Sequence, residues 1–421
     1  MSDQSATPGD IPRLGRNVLV LAAVSFLTDA SSEIIYPLLP IFLTTVLGAS
    51  ASAVGAIEGA AETTSALLKL ASGWWSDRVS RRKPLVVAGY ALASLARPLI
   101  GIAQSATQVL AIRLVDRVGK GVRGAPRDAL IAESVHPSIR GRAFGFHRSA
   151  DHAGAVVGPL IAFALLKWEH IPLRTVFLLA AIPGVLSVIV LVGGVRETPR
   201  DAPAAEPTAA PQVSAADAAE LGRPFWTFFA SVLLFTLGNS TDAFLILRAN
   251  QLGVSVALVP ILWAALHVVK SAASVPGGAL SDRLGRKPLI LAGWAVYAAV
   301  YFAFGRATAT WHAWVLFLTY GIFFGLTEGT ERALVADLVG QHRRGTAFGW
   351  YNLAIGIGAL PASLLFGVVW DRYGPTAAFD LGAALAVAAA IVLLAVRPQL
   401  STGARLLTPS AASPRLPVSE P

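Results

Sequence analysis

Several ionisable side chains lie within stretches of this sequence that are otherwise apolar enough to cross a membrane. Asp29 and Glu33 are four positions apart and therefore share one face of a helix. A carboxyl group withdrawn from water favours its neutral form, so it can bind and release protons near neutral pH; histidine titrates in this range without such help. The sequence predicts a set of proton-coupling residues: Asp29, Glu33, Glu62, Asp242 and His267.

A second set consists mainly of basic side chains within the apolar stretches. A charge at mid-membrane is costly and usually marks a transport pathway, and guanidinium groups bind carboxylate or phosphate through paired hydrogen bonds. The predicted substrate-binding residues are Arg97, Arg113, Arg117, Lys120, Lys270, Glu328 and Arg332. They favour an anionic or zwitterionic substrate. The alternative is that some of these charges only neutralise a neighbour on the same helix, as the spacing of Arg113, Asp116 and Lys120 allows.

The composition is that of a membrane protein. Of 421 residues, 54% are hydrophobic and only 14% are charged, whereas a soluble domain has about 25% charged residues. Apolar runs approach or exceed the roughly 20 residues that a spanning helix needs, and only helices satisfy their backbone groups within such runs. The net charge of +9 comes from bases clustered in short loops, so no nucleic-acid partner is predicted. No cysteine is present, and no metal site is predicted.

The order of apolar and polar segments predicts an all-α protein with twelve spanning helices in two bundles of six. Basic residues concentrate in the loops on one side, which predicts that this side is cytoplasmic and that both termini lie there. The predicted location is the plasma (bacterial inner) membrane. The predicted segments are an N-terminus at 1–16, a first bundle at 17–196, a linker at 197–222, a second bundle at 223–397 and a disordered tail at 398–421.

The two bundles repeat one another in sequence. Asp77-Arg78-Val79-Ser80-Arg81-Arg82 recurs as Asp282-Arg283-Leu284-Gly285-Arg286-Lys287, 205 residues later. Arg140-Gly-Arg-Ala-Phe-Gly-Phe146 recurs as Arg344-Gly-Thr-Ala-Phe-Gly-Trp350, and Ser31-Ser32-Glu33 resembles Ser240-Thr241-Asp242. A parallel duplication of this kind predicts two halves related by an axis along the membrane normal.

These loops resemble the cytoplasmic motif of the major facilitator superfamily, Gly-x-x-x-Asp-Arg/Lys-x-Gly-Arg-Arg/Lys, and the resemblance extends over nearly the whole chain. The first copy has Ser80 where the family usually has glycine. The resemblance implies that an Asp–Arg network locks neighbouring helices on the cytoplasmic side in one transport state. The gating residues that it implies are Gly73, Asp77, Arg78, Arg81, Gly278, Asp282, Arg283 and Arg286. The alternative is that these bases only set the topology.

A narrower resemblance lies in the fifth predicted span. Gly154, Gly158 and Pro159 match the Gly-x-x-x-Gly-Pro pattern of proton-coupled antiporters in this superfamily, with Ala162 in place of the last glycine. This resemblance implies a gating role for the three residues; the alternative is ordinary packing of small residues. Arg113 falls where drug-antiporter relatives place an arginine, but Asp116-Arg117 stands where their Gln-Gly follows.

Together these features predict a secondary transporter that works by alternating access, with proton-coupled export as the preferred function. Proton-coupled uptake of an organic acid or a metal chelate is an alternative, and a non-transporting receptor is another. The sequence has no Walker-type phosphate loop and no recognisable catalytic constellation, so neither ATP-driven pumping nor enzyme activity is predicted. No cofactor is expected, the proton gradient is the expected energy source, and the expected partners are a small-molecule substrate and the lipid bilayer. The protein is expected to be a monomer.

Overall fold

A computed structural model describes residues 14–136, 139–168, 170–197, 221–339 and 343–396. Within these ranges the chain is helical and contains no β-strand, which confirms the predicted all-α class. Most of the predicted N-terminal segment and linker, and all of the predicted tail, lie outside the described residues. The proposed domain boundaries therefore stay predictions.

The first half runs from residue 14 to residue 197. Its helices are α1 (Arg16–Ile35), α2 (Ala51–Arg78), α3 (Lys83–Ala96), α4 (Ala106–Glu133), α5 (Arg140–Lys167), α6 (Leu173–Leu179) and α7 (Ala181–Gly194). After α1 the chain continues in short 3₁₀, α and π turns as far as Val46, because Pro37 and Pro40 cannot continue a regular hydrogen-bond ladder. Ser50 and Ser105 cap α2 and α4 by accepting the backbone N–H of Ala53 and Gln108.

The second half runs from residue 221 to residue 396. Its helices are α8 (Gly222–Gly238), α9 (Ala243–Gln251), α10 (Val259–Leu284), α11 (Arg286–Arg306), α12 (Thr310–Leu338) and α13 (Arg344–Leu394). The last of these is two rods joined at Gly374, whose φ of 84° only glycine adopts readily. The interruption between α8 and α9, at Asn239–Asp242, contains no proline, unlike the one after α1. Backbone polar groups lie here where a regular helix would continue.

Eight helices of the described chain are long and apolar enough to cross a membrane. The long helices α2, α4 and α12 are not among these eight, and α13 counts as one span although it bends at Gly374. The protein is therefore an integral membrane protein. The described helices accommodate the predicted spans, and the total of twelve stays a prediction.

The halves meet along two pairs of helices, α2 with α13 and α5 with α10. Glycines permit the first contact: a Cβ on Gly59 would lie 2.8 Å from the Cα of Leu360, and a Cβ on Gly367 would lie 2.6 Å from the Cα of Ser52. Within the first half, Gly154 and Gly158 bring α5 against α1, since a Cβ on either would lie 2.5 Å from a carbonyl oxygen of α1. These approaches fix how closely the helices surround the space between the halves.

Candidate functional site

A polar cavity of about 470 Å³ lies between the halves. Its walls come from α2 and the turn that follows α1 on one side, and from α8, the segment between α8 and α9, α10, α12 and α13 on the other. Five acidic residues and two basic residues line it: Glu58, Glu62, Asp242, Glu328, Glu331, Lys270 and Arg332. Aromatic side chains complete the wall: Tyr36, Phe235, Tyr320, Phe323, Phe324 and Tyr351. Its size suits a drug-sized molecule.

The cavity is closed at one end of the molecule, here called the far end. There the carboxylate of Asp371 on α13 accepts the backbone N–H groups of Ala51 and Ser52, each at 2.9 Å. An acidic side chain at the N-terminus of a helix satisfies free N–H groups and complements the helix dipole. Further in, the hydroxyl of Thr63 donates to the carbonyl of Gly356 at 2.7 Å. These contacts join the first half to the second.

The cavity opens toward the opposite end, called the basic end, where Arg82, Lys83, Arg286 and Lys287 lie. Along α2 the side chains nearest the far end are buried, whereas Glu62 and Lys69 are exposed. The same change occurs along α10, which is mostly buried near its start and mostly exposed from Ser271 to Pro276. The two halves are therefore separated at the basic end.

The wall of the first half contains a buried network of opposite charges. Asp116 accepts hydrogen bonds from Arg97 at 2.8 and 3.2 Å and from Arg113 at 3.4 Å. Nε and Nη2 of Arg113 donate hydrogen bonds to the two carboxylate oxygens of Glu58, at 3.1 and 2.6 Å. All four side chains are less than 6% exposed. The network joins α2, the 3₁₀ turn that follows α3, and α4, and of its members only Glu58 lines the cavity.

The equivalent positions of the second half contain aromatic side chains instead. The offset of the repeat places Tyr301 where the first half has Arg97, and Tyr320 where it has Asp116. The rings of Tyr297 and Tyr301 stack with centroids 4.1 Å apart, and the Tyr320 hydroxyl donates to Asp242 at 2.7 Å. The second half thus packs phenol rings where the first half pairs ions.

Four of the predicted substrate-binding residues do not line the cavity. Arg97 and Arg113 are held in the buried network, which is the local pairing left open by the sequence. Arg117 is 8% exposed with its Nε 3.9 Å from Asp116, and Lys120 lies one turn further along α4. Sequence spacing could not show that Arg97, in the turn after α3, reaches across to Asp116, since these residues belong to different elements.

The other three predicted substrate-binding residues line the cavity together. Lys270 pairs with Glu328 at 3.2 Å, and Arg148 of the first half approaches the same carboxylate at 3.6 Å. Arg332 has no hydrogen-bond or ion-pair partner among the described residues. Glu328 is thus a point where cations of both halves meet at the mouth of the cavity.

The predicted proton-coupling residues fall into two groups. Glu62 and Asp242 line the cavity. Glu33 lies beside it and accepts a hydrogen bond from Trp263 Nε1 of the other half at 2.8 Å, while the ring of His267 packs against Trp263. Asp29 lies on α1 next to Gly154 of α5, away from the cavity wall. Their role in proton coupling stays a prediction.

Glu331 on α12 is a cavity residue that the sequence places within an apolar stretch but that belongs to neither predicted set. It is 8% exposed, and its carboxylate accepts hydrogen bonds from Trp294 Nε1 at 3.0 Å and from the Tyr351 hydroxyl at 2.9 Å. A signal was present in the sequence, because Glu331 is three residues from Glu328 and seven from Phe324, which places all three on one helical face.

The two loop motifs make matching contacts at the basic end. Lys83 Nζ donates to the carbonyls of Val192 and Val195, and Lys287 Nζ donates to those of Leu394 and Val396. Arg82 pairs with Glu133, as Arg286 pairs with Asp337. The first loop therefore contains one extra residue, and the structure aligns Arg82, rather than the predicted Arg81, with Arg286. Arg286 also pairs with Asp282.

The remaining gating predictions are placed as follows. Arg78, Arg81, Asp282 and Arg283 are exposed at the basic end. Gly73 and Asp77 lie on α2, but their surroundings are outside the described part of the structure. Gly278 has open space around it. Gly154 and Gly158 pack α5 onto α1, with Pro159 inside the helix, so packing is observed, and gating stays a prediction for all of these residues.

Two sets of membrane helices around a central polar cavity define a membrane transport protein. The profile of the Major Facilitator Superfamily matches residues 21–360 and again residues 243–419. An MFS-type transporter of Methanocaldococcus jannaschii is 34% identical over 387 residues, which cover 90% of this chain and 95% of the relative. The chain belongs to the major facilitator superfamily.

Two further comparisons are more limited. The multidrug resistance protein MdtH of Aeromonas hydrophila is 29% identical over 191 residues, which cover 44% of this chain and 47% of that protein. The crystal structure of the nucleoside transporter NupG superposes with a TM-score of 0.78 and 13% identity, over 90% of this chain and 99% of that one. The second likeness concerns the fold alone. Members of this superfamily are transporters that bind small molecules within the bilayer.

Proposed function

We propose that this protein is a proton-coupled secondary transporter that exports a small polar solute by alternating access. The observation that carries the proposal is the cavity between the halves, which is open at the basic end and closed at the far end. The far end is closed by the packing of α2 against α13 and by the bonds from Asp371 to the N-terminus of α2. Rocking of one half against the other around such a site would expose it to each side in turn.

Proton coupling is supported by two carboxyl groups that accept hydrogen bonds from uncharged donors. Asp242 is bonded by a tyrosine hydroxyl, and Glu33 by an indole N–H of the other half. A buried carboxyl group without a cationic partner binds a proton readily. Protonation of Glu33 would weaken its bond to Trp263, so proton binding and the relative position of the halves are linked.

The walls favour a solute that carries a positive group, whether zwitterionic or cationic. The expectation of an anion depended on Arg97, Arg113, Arg117 and Lys120, none of which lines the cavity. Acidic residues outnumber basic ones among those that do. A zwitterion is retained because Arg332 and Lys270 offer a place for its negative group. Export is supported by the partial similarity to a protein named for multidrug resistance.

Location and assembly complete the proposal. The basic end faces the cytoplasm of the bacterial inner membrane, as the rule for positive loops predicts, so the cavity described here opens inward. Both termini lie on that side. The two halves form the cavity within one chain, so a monomer suffices for transport.

The test is a measurement of proton movement in liposomes that contain the purified protein and an internal pH dye. Solutes of each charge class are added outside vesicles with an acidic interior. A rise of internal pH on adding a zwitterion or a cation is the expected result, because an exchanger releases protons as the solute enters. Acidification would indicate proton-coupled uptake, of an organic acid or a metal chelate. A pH unchanged by every solute, despite binding, would favour a receptor.

A further inference from the structure

Glu331 and Glu58 are the buried acids of the cavity wall, and they differ in their hydrogen-bond partners. Both oxygens of Glu58 contact the guanidinium of Arg113, so its charge is balanced. Glu331 has no ion pair among the described residues. Its two oxygens accept one hydrogen bond each from uncharged donors, the indole of Trp294 and the hydroxyl of Tyr351. The carboxylate is thus oriented on both sides while its charge stays uncompensated.

Rigid aromatic packing fixes the two donors. The ring of Trp294 stacks on Phe235 with centroids 4.5 Å apart and an angle of 9°, and Tyr351 lies parallel to Phe228 at 6.5 Å. Neither donor can turn away without breaking these stacks. The site is therefore built around the carboxylate, and the ring of Phe235 also belongs to the cavity wall.

None of the charged and titratable groups around Glu331 forms an ion pair with it, so its carboxylate is available to a ligand. On its own helix they are Glu328, which Lys270 and Arg148 already hold, and Arg332, which has no ion pair with it. The α13 helix presents Tyr351, α11 presents the indole of Trp294, and the neighbouring residue of α8, Phe235, is apolar. A buried, unbalanced carboxylate costs several kcal/mol, so a positive charge brought to it from the cavity is stabilised.

We propose that Glu331 is the place where the positive group of the transported solute binds, in competition with a proton. The ligand is a monovalent organic cation, or the cationic end of a zwitterion, with an apolar or aromatic body that packs on Tyr351 and Phe324. Aromatic faces add to the attraction for such a group. This inference adds a binding residue to the proposed function. It rests on that function, because only in a proton-coupled transporter does the competition between solute and proton become exchange across the membrane. When the solute binds, the proton leaves Glu331 for the open end of the cavity.

The experiment measures equilibrium binding of tetraphenylphosphonium to the purified protein between pH 5.5 and 8.5, with benzoate as the anionic probe. For the wild type, we expect tetraphenylphosphonium affinity to increase with pH, by up to about tenfold per unit where the group titrates. Proton release on binding is followed in a weakly buffered solution. The Glu331→Gln variant should bind about 30-fold or more weakly, with no pH dependence.

Matched variants separate this role from a structural one. Asp380→Asn removes a carboxylate that pairs with Arg306 outside the cavity, and it should leave both affinity and pH dependence unchanged. Tyr351→Phe removes one donor to the carboxylate but keeps the ring, so the pH midpoint of binding should move upward while the pH dependence persists. An unmoved midpoint would mean that Tyr351 does not act on the binding group.

The inference is overturned if wild type fails to bind tetraphenylphosphonium, if benzoate binds in its place, or if Glu331→Gln keeps the wild-type affinity and slope. These outcomes are distinct from failure of the proposed function. Binding that depends on Glu331, in a protein that moves no protons in liposomes, would contradict transport and leave the site intact. Coupled transport that Glu331→Gln does not alter would contradict the site alone.

Discussion

The two halves of this protein share a helical plan but place charge in it differently. In the first half, Arg97, Asp116, Arg113 and Glu58 neutralise one another inside the bundle. In the second half, tyrosines take the places of Arg97 and Asp116, and the acids Asp242 and Glu331 are bonded by uncharged donors. The difference is one of pairing: the buried ions of the first-half network join helices, whereas Asp242 and Glu331 of the second half have no ion pair among the described residues.

The largest difference between the halves should appear when equivalent positions are changed in two separate variants, Arg97→Met and Tyr301→Phe. Arg97→Met leaves Asp116 without its principal partner, and breaking a buried pair costs about 3–5 kcal/mol. Tyr301→Phe keeps the ring and removes a buried hydroxyl that forms no hydrogen bond among the described residues, so the loss should be less than about 1 kcal/mol. The midpoints of thermal unfolding in detergent provide the measurement. Equal losses would show that the first-half network is not a structural element.

The next comparison concerns the two carboxyls at matching positions, Glu33 and Asp242. Glu33→Gln keeps a group that accepts from Trp263 but cannot exchange a proton, so transport should respond to a pH gradient about 5- to 150-fold less. Asp242→Asn is the matched variant of the second half. Liposomes with and without an imposed gradient provide the measurement. A gradient response that survives Glu33→Gln would remove this residue from proton coupling.

A smaller effect is expected from a substitution at the far end, where hydrogen bonds join one half to the other. Asp371→Asn leaves only one acceptor oxygen for the two N–H groups of α2, which should cost the closed state about 1.5–3 kcal/mol. The population of the open far end should rise accordingly. Spin labels on cysteines introduced at Ala49 and Arg372 report this distance without background, since the chain has no cysteine. An unchanged distance distribution would contradict the role of Asp371.

The smallest effect should come from the exposed pair of the second half, Arg306 and Asp380. The guanidinium and carboxylate form two hydrogen bonds, but both side chains are more than a third exposed. An exposed pair contributes at most about 1 kcal/mol, so Asp380→Asn should barely move the unfolding midpoint. A loss as large as that of Arg97→Met would show that burial does not explain the difference between the halves.

The sequence predicted the fold class and the duplication because both depend on local patterns. Apolar runs and repeated loops are visible in one dimension, and the paired contacts of Lys83 and Lys287 agree with the repeat. The extra residue in the first loop was missed, since Arg81 and Arg82 are chemically alike and only the contact with Glu133 distinguishes them.

The site was less predictable because it depends on which side chains meet across helices. Sequence spacing alone could not show that Arg97 and Arg113 are engaged with Asp116 and Glu58. For the same reason it could not select Glu331, whose donors lie on α11 and α13. Charges that look equivalent along the chain differ once their neighbours on other helices are known.

The bonds from Asp371 to the backbone of α2 bear on the speed of the transport cycle. Because main-chain amides are the donors, most side-chain changes in α2 would leave these bonds in place, and the strength of this contact contributes to how long the empty carrier waits facing one compartment. Under the proposed proton coupling it cannot alter the accumulation ratio, which the proton gradient and the coupling stoichiometry determine. Lengthening or shortening that wait would change turnover while leaving the final steady state untouched.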